Sequence, residues 1–130
     1  MFAQPRGIQA YRQVQTESRS PLELVVMLYD GALASVLQAR DAANRGDIRQ
    51  RGASISKALS IVGALREALN LDEGGAVAAE LDRLYDYVTG RLVEVTVRGD
   101  VSALPEVHKL LSGLREAWHQ IATHPQQAAS

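Results

Sequence analysis

Ser20-Pro21-Leu22-Glu23-Leu24-Val25-Val26-Met27-Leu28-Tyr29-Asp30-Gly31-Ala32 decides the fold. Ser20 is placed to accept a hydrogen bond from the Glu23 amide while the Glu23 carboxylate reaches back to the Ser20 amide, and Pro21 at the first helical position gives up no intrahelical bond. A helix starts here. Downstream, Leu22, Val25, Val26, Tyr29, Leu33, Val36 and Leu37 recur at helical steps, so one wide face is apolar and needs a partner. Gly46 and Asp47 end the run.

Three more segments follow the same logic. Residues 48–69 carry Ile55, Leu59, Val62, Leu65 and Leu69 on one stripe, with Ala58, Ile61 and Ala68 beside it, and residues 70–75 read as a loop. Residues 76–98 place Val77, Leu81, Leu84, Val88, Leu92 and Val95 on one face before Gly99, the residue type suited to a left-handed cap. Residues 102–121 carry Leu104, Val107, Leu111, Leu114, Trp118 and Ile121, with Pro105 in the first turn, where a missing amide proton costs little. The β-branched Val93, Val95, Thr96 and Val97 do not overturn the surrounding helical period. Four amphipathic helices joined by short polar turns predict an all-α fold, an antiparallel up-down-up-down four-helix bundle over residues 20–124. Residues 1–19 form an N-terminal arm expected to be mobile, in which Ile8, Tyr11 and Val14 are apolar at helical spacing, and residues 125–130 form a polar tail.

The chain is 130 residues long, enough for one domain with a real core. Lys and Arg number 14 against 15 Asp and Glu, so net charge gives no reason to expect a nucleic-acid or membrane partner. Absence of cysteine removes disulfides, thiolate metal sites and thiol chemistry. Residues 1–7 lack the pattern of a secretory leader, and no uncharged apolar run suggests insertion into a membrane, so a cytoplasmic protein is expected, monomeric or weakly dimeric.

Helical bundles also host chemistry. Glu116-Ala117-Trp118-His119 has the Glu-x-x-His spacing of di-iron bundles, but those need two such steps and two further carboxylates. Gly74-Gly75 lacks the Lys and Ser/Thr of a phosphate loop and reads as a turn. Arg40, Arg45, Arg49 and Arg51, partly offset by Asp41 and Asp47, read as a solvated loop tip. No cofactor, metal or catalytic residue is expected. The alternative function is a histidine phosphotransfer domain acting through His108.

Tyr11, then Ser20-Pro21, Leu-Tyr-Asp-Gly-Ala at 28–32, Lys57-Ala58, Gly74-Gly75, Leu-Tyr-Asp-Tyr at 84–87, Arg91-Leu92 and Glu116-Ala117-Trp118 form an ordered set that resembles the FliS-type flagellar export chaperones over nearly the whole chain. Thr96 stands where that family usually has Asn, and Thr89-Gly90 favours a helix less than the usual pair. The resemblance implies a cytoplasmic, non-enzymatic chaperone that holds the disordered C-terminal segment of flagellin, prevents premature polymerisation and delivers the subunit to the cytoplasmic domain of the export gate. By the same resemblance, Ile8 and Tyr11 cap the client groove and contact the gate. A client with amphipathic helices requires apolar surface beyond the core-facing arc. The candidates for that surface are Ile61, Leu65 and Ala68 on the second helix and Leu81, Tyr85 and Val88 on the third.

Overall fold

Unpartnered amides at a helix start are met by side chains in three of the four helices of the computed structural model, which describes residues 20–124. Ser20 Oγ accepts from the Glu23 amide at 3.1 Å and opens α1 (Pro21–Asn44). Asp47 Oδ1 accepts from the Gln50 amide at 3.0 Å and opens α2 (Ile48–Glu67). Asn70 Oδ1 accepts from the Glu73 amide at 3.0 Å and opens α3 (Leu71–Arg98). In α4 (Ala103–Thr123) Ser102 makes no such bond; its hydroxyl donates to Asp100 at 2.5 Å instead. Gly99, at φ 70, closes α3 with its amide on the Val95 carbonyl. The arm, with Ile8 and Tyr11, and the tail lie outside the described residues.

The stretch expected to be a loop before the third helix is one capped helical turn followed by a break. Gly75 sits at φ 55, ψ −133, a backbone conformation that L side chains reach only with strain. A Cβ at Gly74 would stand 2.5 Å from the Ala78 Cβ. The two glycines thus let the chain turn tightly into α3.

The short connections force antiparallel neighbours. Helix α1 packs on α2 and α4, and α3 packs on the same two, while the diagonal pairs have no backbone-level packing. The most extensive seam, α1 with α2, is built from small side chains: Ala32, Ser35, Ala39 and Ala42 are buried on α1, Ser54 and Ala58 on α2. Gly31 belongs to this seam because a Cβ there would come within 3.2 Å of Ile61 Cδ1. Both buried serines are satisfied, Ser35 donating to the Gly31 carbonyl at 3.0 Å and Ser54 accepting from Gln50 Nε2 at 3.1 Å. The other seams carry opposite charges: Arg66 with Asp82 at 2.6 Å joins α2 to α3, and Arg115 with Asp30 at 2.9 Å joins α4 to α1. Such surface pairs add little stability but disfavour slipped registers.

At the centre Tyr29 and Tyr85 bring their hydroxyls to 2.5 Å across the diagonal from α1 to α3, among Val36, Ile55, Val62, Leu92 and Leu111. Burial pushes both hydroxyls above the ordinary tyrosine range. For Tyr85 the bond to Tyr29 adds to that rise, whereas for Tyr29 the same bond opposes it.

Two stripe residues are exposed, and several others are only half-buried. Leu37 is 48% exposed and Val77 70% exposed. Leu37 is turned about 100° from the buried Val36, and α1 continues its core face through Ala39 and Ala42. Val77 follows the Gly75 break, at an end where α3 has little left to pack on. Trp118 is half-buried at the core's edge rather than inside it. By length and composition α1 is apolar enough to cross a bilayer, yet the apolar side chains responsible include Tyr29, Ala32, Val36 and Ala39, which are buried against other helices.

Removing one tyrosine hydroxyl strands the other in an apolar interior. Tyr29→Phe or Tyr85→Phe should each cost about 1–3 kcal/mol in urea unfolding, and the double variant should recover most of that loss. The pair also sets an alkaline limit. A neutral acid whose folded pKa is raised contributes stability that is whole below the unfolded value of about 10 and is lost as pH rises through the folded value. Stability followed by circular dichroism should therefore fall above that pH in the wild type, and much less in the double Phe variant.

Candidate docking groove

Adjacent leucines on one helix cannot both face the same core. Leu110 and Leu111 are about 100° apart, and Leu111 takes the interior while Leu110 stays half-buried. The same division runs through Leu84-Tyr85-Asp86-Tyr87 on α3, where Tyr85 is buried and Tyr87 is 46% exposed. Between α3 and α4 these leftover apolar side chains line an open groove of about 600 Å³, with Leu84 and Tyr87 on one wall and Leu110, Gly113 and Leu114 on the other. A Cβ at Gly113 would meet nothing within 4 Å, so its missing side chain deepens the groove. From Glu106 to Leu114 the α4 wall runs about 12 Å, two turns of helix.

One end of the groove is pinned by a charge network. The Tyr87 hydroxyl donates to Glu106 Oε2 at 2.7 Å and Arg91 Nε donates to Glu106 Oε1 at 2.6 Å, so both carboxylate oxygens are engaged. Arg91 Nη1 also donates to Glu94 and Asp100, each at 3.1 Å. The Arg91 guanidinium, helped by the Tyr87 hydroxyl, holds the Glu106 carboxyl below the usual carboxylate range. Ser102 and then Arg91 do the same for Asp100. The Glu106 carboxylate raises the Tyr87 hydroxyl in turn, so the ring is held by a hydroxyl that keeps its proton. Lys109, about one turn along α4 from Glu106, also lines the groove. The arrangement offers an apolar trough with a fixed aromatic edge and no evident nucleophile or acid–base pair.

The residues expected to form the client surface are distributed otherwise. Leu65, Leu81, Tyr85 and Val88 are buried in the core rather than outward, because their positions on α2 and α3 coincide with the arc that faces the other helices. Ile61 is half-buried against Gly31, and Ala68, the residue that closes α2, is exposed. These six side chains do not make one surface. The apolar period does not single out Tyr87, Leu110 or Gly113 as groove residues; the doubled leucine at 110–111 is the signal that one apolar side chain of α4 faces outward. His108 is half-buried, with Nδ1 3.5 Å from the Ser112 hydroxyl. A second groove of about 300 Å³ lies between α1 and α4, beside the Arg115–Asp30 pair.

Comparison with known proteins agrees with this architecture. The family model described as flagellar protein FliS matches residues 4–125. The flagellar secretion chaperone FliS of Salmonella typhimurium is 41% identical over 89% of this chain and 90% of its own length. The flagellar secretion chaperone FliSB of Pseudomonas aeruginosa is 40% identical over 90% of this chain and 96% of its own. The Escherichia coli FliS is 34% identical, covering 92% of both chains. None of these matches supports the phosphotransfer reading of His108. With a family match across almost the whole length and relatives of the same size, the chain belongs to the FliS family.

Proposed function

We propose that this protein is a cytoplasmic flagellar secretion chaperone whose client, the C-terminal segment of flagellin, docks in the groove between α3 and α4. The observation that carries the reading is the groove itself: an apolar trough two helical turns long in a chain of the FliS family. An amphipathic client helix meets Leu84, Leu110 and Leu114 with side chains one turn apart, and Tyr87, fixed by Glu106, covers its flank. Covering those client side chains blocks the contacts they would otherwise make with other subunits. Ordering a disordered segment costs several kcal/mol, so the complete contact extends beyond this trough to an area on the order of 1,000 Å² or more. Ala68, exposed where α2 ends, and Ile61, half-buried in the α1–α2 seam, are reached only where the client continues around the bundle from this trough. The buried Leu65, Leu81, Tyr85 and Val88 act from beneath, as the core that keeps α3 in place. Ile8 and Tyr11 keep the roles the resemblance gives them, a cap on the empty groove and a contact with the cytoplasmic domain of the export gate. Nothing in this role requires a catalytic group.

Titration of a C-terminal flagellin segment onto the full chain tests both levels of the reading. Wild type should bind. Gly113→Leu fills the trough without touching the core, so it should keep its melting temperature and bind at least tenfold more weakly, about 1.4 kcal/mol, whereas Gly113→Ala should bind nearly as wild type. A wild-type chain that ignores flagellin would overturn the chaperone reading. Gly113→Leu binding as tightly as wild type would move the client off this groove and leave the rest standing.

A further inference from the structure

Almost every charge on the two helices that wall the α3–α4 groove already has a partner. Residues 80–94 of α3 and 106–116 of α4 carry ten charged side chains, and nine of them stand in an ion pair. Lys109 is the tenth. It is exposed, it lines the groove, and among the described residues no carboxylate pairs with it. The acid one turn away is committed elsewhere, because Glu106 has one oxygen on the Tyr87 hydroxyl and the other on Arg91. Asp82 and Asp86 turn to Arg66 of α2, and Glu80 is taken by Arg83 on its own helix.

Four residues beyond Lys109, Gly113 presents bare backbone to the same groove, and a Cβ there would meet nothing within 4 Å. Positions four apart on a helix are neighbours, about 6 Å from each other along one side of it. A client helix laid along α4 repeats with the same period, so two of its side chains three or four residues apart reach these two places together. The places differ in chemistry. Over Gly113 there is space bounded by Leu110 and Leu114, suited to a large apolar side chain. At Lys109 there is an ammonium with no acid left over to meet it. An apolar side chain there would cover the ammonium without replacing its water, and a basic one would be repelled, whereas a carboxylate pairs with it.

We propose that Lys109 and Gly113 together determine which amphipathic segments the groove accepts: a large apolar side chain of the client fills the space over Gly113, and a carboxylate three or four residues from it on the client helix pairs with the Lys109 ammonium. This rests on the reading that the client docks between α3 and α4. An ion pair at so exposed a position adds modest affinity, and its main effect is to fix the register of the client and to discriminate among apolar segments of similar hydrophobicity.

Two rescue experiments on the full chain, read by titration of the C-terminal flagellin segment, test it. Lys109→Gln should bind about two- to fivefold more weakly, and Lys109→Glu, which adds a repulsion, roughly tenfold more weakly. Both should melt as wild type, since Lys109 is exposed. Changing one particular Asp or Glu of the segment to Lys should restore binding to the Lys109→Glu chain, and the same change at its other acids should not. Changing one particular large apolar residue of the segment to Ala should likewise recover part of the affinity lost in Gly113→Leu. The two rescuing positions should lie three or four residues apart. Lys109→Glu binding as tightly as wild type, equal rescue from every acid, or rescuing positions that are not one turn apart would each overturn the proposal while wild-type binding and the Gly113→Leu loss keep the groove assignment standing. A Gly113→Leu chain that binds as wild type would overturn both.

Discussion

The hydrogen bond between the Tyr29 and Tyr85 hydroxyls is the constraint on which the bundle's arrangement rests. Helices α1 and α3 stand diagonally and have no backbone-level packing, so the core side chains between them fix their relation. Aliphatic side chains tolerate rotation and sliding, because dispersion and burial are non-directional. Two buried hydroxyls do not, because either one displaced from its partner is left unsatisfied in an apolar interior. The pair selects one rotation of α3. That rotation decides which residues of α3 face outward.

From it the groove follows. With Tyr85 pointing to the centre, Tyr87 lies about 200° around α3 and emerges toward the seam with α4, where Glu106 takes its hydroxyl. Leu84 reaches the same seam, and α4 presents Leu110, Gly113 and Leu114 to it because Leu111 is committed to the interior. The Arg91 network at the groove's end then holds α3 and α4 together where their own apolar contact is modest. Core and surface are thus two readings of one helix orientation. Of the apolar side chains that the core leaves over, Leu84, Tyr87, Leu110 and Leu114 gather in this seam.

Much of this was legible in the amino-acid sequence because helix signals are local. Ser20-Pro21, Asp47, Gly46 and Gly99 place ends to within a residue or two, and a three-to-four-residue apolar period survives any tertiary context. The helical turn at 71–74 is not legible because Gly74-Gly75 looks like a loop, whereas Asn70 supplies a cap that makes one helical turn hold before the break. Leu65, Leu81, Tyr85 and Val88, expected to face outward, are buried for a different reason. Periodicity reveals a wide apolar arc but not where its midpoint lies, and for α3 that midpoint is set by Tyr29 on another helix. Tyr85 and Tyr87 look interchangeable in the sequence; only their partners, a tyrosine in one case and a glutamate in the other, separate a core residue from a groove residue.

The central claim is that the closed core orients α3 so that client binds the surface seam between α3 and α4. Amide hydrogen exchange on the full chain, with and without the C-terminal flagellin segment, measures this most directly. New protection confined to the outer turns around 84–87 and 106–114, with exchange around Tyr29 and Val36 unchanged, is the result the account predicts. Protection centred on α2, or faster exchange around Tyr29 on client binding, would show that the bundle opens to expose its core, and would contradict it.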